Sequence, residues 1–185
     1  MEVGSGMLYS VSVVDGLVHQ LGGWPLRMEI KLLPTIQEPD EKCPVGSAVV
    51  TSCGFSSDLS NEYDYVVHTV PPFYKHHPDP NECLRNCYRS SFAKAFDLTT
   101  TNNRVATPLL GAGARGFPLD VAVDVAASES IFWLSSVGDN SITERYDSSG
   151  GDDGIYRTVA FGIPDEKTAE LMVEALTRHN YVSYR

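Results

Sequence analysis

The stretch Val105–Pro118, VATPLLGAGARGFP, decides how the chain is read. Its first half continues a β-branched, turn-bounded segment, Asn103–Leu110, that predicts a strand. Its second half is a glycine-rich turn, and a helix is expected to start near Pro118 and run through Val121, Val125 and the alanines. Gly111, Gly113 and Gly116 let the backbone turn sharply and approach a ligand closely. A run of free N–H groups at a strand-to-helix turn can cradle a phosphate or pyrophosphate, and Arg115 can add a charge-assisted contact. The bland alternative is a glycine-rich turn with no ligand. No Gly-Lys-Ser/Thr follows, so this is not a P-loop, and it is not read as the dinucleotide fingerprint.

Outward from that loop, strands and helices alternate. Ser47–Thr51, Tyr63–Val70 and Ile155–Ile163 also predict strands. Val11–Leu21, Pro25–Leu33, Pro80–Phe96 and Asp165–His179 predict helices, the last with acidic residues first and Arg178 and His179 last, as the helix dipole favours. Pro80–Phe96 lines up Cys83, Leu84, Cys87, Tyr88, Phe92 and Phe96 on one face. The alternation indicates an α/β sandwich with a mostly parallel or mixed sheet, which binds ligands beyond the carboxyl ends of its strands. One domain over residues 1–185 is expected, with a polar surface loop at Gly138–Gly154.

Composition narrows the function. The 185 residues are 42% hydrophobic and 21% charged, enough for a real core. Fourteen Lys and Arg against twenty-four Asp and Glu leave a net charge of −10, which argues against bulk phosphate-backbone binding and so against nucleic acid. No apolar run spans a bilayer and no signal peptide is seen, so no membrane role and an intracellular location, cytoplasmic or nuclear, are expected. Cys43, Cys53, Cys83 and Cys87 are read as reduced thiols that pack as small buried residues. His76, His77, Cys83 and Cys87 make a poor zinc set, because adjacent histidines ligate badly together and the thiols lie on the apolar helix face. Asp147, Asp152 and Asp153 lack EF-hand spacing. No Ser-His-Asp arrangement stands out, and no base is implied for a Cys53 nucleophile. Neither a metal nor a cofactor is expected.

Five segments, in order, resemble the macro domain family. CPVGSAVVT at Cys43–Thr51 resembles C-P-x-G-x-A-x-x-T. YVVHTVPP at Tyr65–Pro72 is similar to Y-V-I-H-T-V-G-P, and LRNCYRSSFAKA at Leu84–Ala95 to the helix L-x-x-C-Y-x-x-x-L-x-x-A. VATPLLGAGARGFP resembles V-A-x-P-x-x-S-x-G-x-x-G-x-P, and Tyr156–Leu176 resembles the family's last strand and helix. The resemblance covers roughly Val13 to His179. It implies a three-layer α/β/α fold with a mixed sheet, lacking the usual first strands, and binding of ADP-ribose or an ADP-ribosylated protein.

The same resemblance implies site residues. Gly111, Ala112, Gly113, Ala114, Arg115, Gly116 and Phe117 fall on the ligand-facing loop, and Phe161 on the aromatic that packs against adenine; a core Phe is the alternative there. His68 reads as structural. VVDGLVHQLGG at Val13–Gly23 is similar to G-V-D-x-A-I-H-x-A-A-G, so Asp15 matches the aspartate that positions or activates water in hydrolytic members. The sequence departs from the pattern upstream. Glu2, Val3, Gly4 and Ser5 stand where N-A-A-N would, and Val11, Ser12 and Val13 replace a glycine run against the ligand. Arg115 replaces the loop's usual aromatic. Three readings stay open: a binding module with weak or no catalysis, an ADP-ribosyl hydrolase, and a degenerate fold acting as an interaction scaffold. Self-association is open as well, since a missing strand would leave unpaired backbone groups.

Overall fold

The computed structural model describes residues 14–36, 41–97, 102–135 and 156–183. Val11, Ser12, Val13, the polar stretch Gly138–Gly154 and the aspartates within it lie outside the described residues. The elements run α1 (Val14–Leu32), β1 (Ala48–Ser52), a short 3-10 turn (Leu59–Asn61), β2 (Tyr65–Thr69), α2 (Pro80–Asp97), β3 (Asn102–Pro108), α3 (Leu119–Ser135), β4 (Tyr156–Gly162) and α4 (Glu166–Ser183). The two helices expected before Pro34 are the halves of α1. They meet at Gly23, whose φ of 59° and ψ of −152° are not helical, and Pro25 then enters the first turn of the second half.

The strands pair two by two. β1 and β2 are antiparallel, with Ala48 opposite Thr69 and Ser52 opposite Tyr65. β3 and β4 are parallel, with Asn102 opposite Tyr156 and Pro108 opposite Gly162. The connections explain the difference. The link between β1 and β2 holds only the short turn, so the chain returns antiparallel; α3 lies between β3 and β4 and carries the chain back for a parallel crossover. Among the described residues the two ladders share no strand.

The main core gathers where α2, α3 and α4 meet the parallel pair. Leu84, Tyr88 and Phe92 of α2 pack with Phe117, the α3 residues Ala122, Val123, Val125 and Ala126, and Met172 and Ala175 of α4. Their spacing of three and four residues puts each set on one helix face. The small residues of α3 suit a helix held between two neighbours, α2 and α4. Buried Glu129 on α3 would be costly alone. Arg85 and Arg89 of α2 reach it with contacts of 2.8–3.1 Å, which fix how α2 sits on α3. Asp79 and Asp165 cap α2 and α4, each accepting a hydrogen bond from the backbone N–H three residues on.

Candidate functional site

The glycine loop leaves β3 at Pro108 and reaches α3 at Leu119. Its base is fixed from α2: the Leu110 N–H donates to the buried Tyr88 hydroxyl at 3.0 Å. Gly111 follows with φ 83°, and a Cβ there would sit 2.9 Å from the Phe117 ring, so no side chain fits. The Phe117 N–H closes the turn onto the Gly111 carbonyl at 3.2 Å, and the Gly116 N–H bonds the Gly113 carbonyl at 3.0 Å. A second segment pins the far side. The Tyr74 N–H donates to the Arg115 carbonyl at 3.0 Å, and the Tyr74 ring packs on Phe117 with centroids 5.1 Å apart.

Within this frame, Ala112, Gly113, Ala114 and Arg115 donate no hydrogen bond from the backbone among the described residues. Gly113 and Ala114 are exposed, and a Cβ on Gly113 would meet nothing within 4 Å. The loop is therefore a braced turn with a run of unspent donors beside open space at Gly113, an arrangement suited to an anion. Its glycines do fall at G-x-G-x-x-G spacing, so spacing does not separate it from a dinucleotide fingerprint. Conformation does. In that fingerprint the third glycine packs its helix closely on the sheet. Here Gly116 has φ 73°, and the helix starts three residues later.

Asp15 lies in the first turn of α1, which packs on β1 and the 3-10 turn. Its Oδ1 is buried without a hydrogen bond, and His19 Nε2 stands 3.5 Å away, one helical turn on. Burial raises the Asp15 pKa, with His19 working in the opposite direction. Among the described residues, the hydrogen bonds and ring contact that pin the glycine loop come from α2 and Tyr74, and none comes from α1.

Phe161 stands opposite Thr107 near the carboxyl end of β4. Its ring lines a cleft of about 610 Å³ with Ile131, Leu134, Val159 and Leu176, between α3, α4 and β4; no glycine-loop residue lines that cleft. It also packs against the main core. His68 is buried on β2, its Nε2 2.8 Å from the Thr51 hydroxyl, and burial lowers its pKa to about 3. The four cysteines are buried and unbridged, and burial pushes the Cys43, Cys53 and Cys83 thiols up to about 11. No group of three or more metal-binding side chains occurs among the described residues. None of the described helices is long and apolar enough to cross a membrane.

Sequence reading missed the part played by Tyr74 and Tyr88. Aromatic residues near a turn carry no sign of which loop they will brace.

The family model for the macro domain matches residues 6–126. A macro domain-containing protein of Listeria monocytogenes is 34% identical over 135 residues, covering 71% of this chain and 69% of that protein. Human ADP-ribose glycohydrolase MACROD2 is 35% identical over 126 residues, which are 66% of this chain but 26% of that protein. An Oceanobacillus iheyensis macrodomain solved with ADP superposes with a TM-score of 0.71 at 21% identity, covering 95% of this chain and 80% of that one. The chain shares that α/β/α architecture.

Proposed function

Because the chain belongs to the macro domain family, we propose that it binds ADP-ribose or a closely related nucleotide at the glycine loop, with weak or no turnover. One observation carries this reading: the braced loop whose Ala112, Gly113, Ala114 and Arg115 N–H groups have no acceptor among the described residues. A diphosphate offers several anionic oxygens to such a row, and the N–H groups need no basic side chain to hold them. The Oceanobacillus relative binds ADP on the same fold. The chain's net charge of −10 favours a small anion held by the backbone over a nucleic-acid strand.

A hydrolytic reading has one observation in its favour. Asp15 offers a buried carboxylate oxygen without a hydrogen bond, of raised pKa and 3.5 Å from His19 Nε2, the kind of pair that can hold a water for general base chemistry. The human relative is a glycohydrolase by name. Against it stands the upstream sequence, where Val11 and Val13 occupy positions that ask for glycine.

Isothermal titration with ADP-ribose, with AMP as control, tests binding. Micromolar affinity for ADP-ribose and none for AMP is expected. No heat from a chain whose circular dichroism shows it folded would leave the scaffold reading in its place. Single-turnover assays on an ADP-ribosylated protein then separate the binding module from the hydrolase. Turnover that Asp15→Ala abolishes while binding survives would establish the hydrolase.

A further inference from the structure

We propose that Phe73 is a positioning residue that holds the Arg115 guanidinium at the glycine loop, so that the pair selects an anionic group on the ligand. This rests on the nucleotide-binding reading above. The Arg115 guanidinium carbon lies 4.4 Å from the centroid of the Phe73 ring. Among the described residues no carboxylate pairs with Arg115, although acidic residues outnumber basic ones in this chain.

The geometry gives the stack its meaning. A guanidinium is planar, with its five N–H donors in the plane. Stacking on a ring occupies one face of that plane and uses none of the donors. Phe73 therefore holds the group in place at 4.4 Å while leaving its donors to a ligand. A carboxylate partner would fix it too, but would consume the donors and cancel the charge.

Phe73 is itself held. Its ring meets His76 edge-on at 6.3 Å, and the neighbouring Tyr74 is tied to the loop by a backbone hydrogen bond and a ring contact. The turn holding Phe73 and the loop holding Arg115 are thus tied directly to each other. At 48% exposure, Phe73 adds little to the core, so the ring's position over open surface is explained by the guanidinium it carries. The neutral N–H row and Arg115 would then act on one anion together, the row by geometry and Arg115 by charge.

A double-mutant cycle tests the assignment, with ADP-ribose affinity measured at low and high salt for the parent, Phe73→Ala, Phe73→Tyr, Arg115→Ala and the double variant. Arg115→Ala is expected to weaken binding about tenfold and to flatten its salt dependence. Phe73→Ala should weaken it about 2- to 5-fold, and Phe73→Tyr should restore it. In the Arg115→Ala background, Phe73→Ala should cost nothing further. A parent chain that binds while the two losses simply multiply would overturn this inference and leave the binding reading intact. A folded parent that does not bind would overturn both.

Discussion

The glycine loop and the start of α1 are opposites in hydrogen bonding. In the loop, four neighbouring N–H groups have no acceptor among the described residues, at positions that are exposed or half-exposed. At Asp15, a carboxylate oxygen lacks a donor and is buried. The first arrangement costs little, because water satisfies the exposed N–H groups until an anion replaces it. The second is costly, because partial burial strips a charged group of water, His19 at 3.5 Å offsets only part of that, and the raised pKa records the remaining cost. A surface with spare donors is ready to bind. A buried spare acceptor is poised for chemistry only if something supplies the missing proton or hydroxyl. The two regions therefore support binding and catalysis to different degrees, which is why binding is the function proposed.

The sharpest way to break the comparison is inside the loop. Gly113→Val adds bulk where a Cβ meets nothing, so the melting temperature should hold while ADP-ribose affinity falls at least about tenfold through lost approach to the N–H row. Gly111→Ala should do the reverse in order. Its φ of 83° and the 2.9 Å approach to Phe117 should cost about 1–3 kcal/mol of stability in a urea titration, with affinity falling as a consequence. If both variants lose affinity and stability alike, the distinction between frame and cradle fails.

Tyr88→Phe tests the brace. It leaves the Leu110 N–H without its acceptor in a nearly closed site, at about 1–3 kcal/mol by denaturant unfolding. His68 gives a pH signature remote from the loop. Its folded pKa near 3 lies below the roughly 6.5 of an unfolded chain. Below pH 6.5 the unfolded state takes a proton that the folded state refuses, so stability should fall by up to about 1.4 kcal/mol per pH unit towards pH 3. His68→Gln should flatten that part of the stability–pH curve.

The smallest effect is expected at Asp15. A raised carboxylate pKa means that the folded state binds its proton more readily than the unfolded state does. Its cost is therefore fully present above the folded pKa, declines as pH falls below it, and is gone below the unfolded one. Asp15→Asn should raise the melting temperature slightly at pH 7, with no gain at acid pH, and leave ADP-ribose affinity within about 3-fold. A large affinity loss would move Asp15 from chemistry to binding.

Much of this was legible in the sequence, for identifiable reasons. Strands and helices fell within a few residues of their expected places, because apolar spacing and Pro or Asp punctuation mark them locally. Asp79 and Asp165 cap where acidic residues precede a periodic run. Strand pairing was not legible. No helix is expected between Thr51 and Tyr63, which permits an antiparallel pair there, but alternation alone does not show which strands are neighbours. Phe161 shows the same limit. Its place at the end of a strand was readable, but the cleft its ring lines depends on how α3 and α4 pack on β4. The Phe73–Arg115 stack joins residues 42 positions apart and leaves no local trace.

The most direct test of the account is a proton–nitrogen correlation spectrum of the labelled chain, recorded as ADP-ribose is added. The amides of Ala112, Gly113, Ala114 and Arg115 should shift strongly and together as they gain an acceptor. Shifts confined to residues around the Phe161 cleft, with those four amides unmoved, would contradict it.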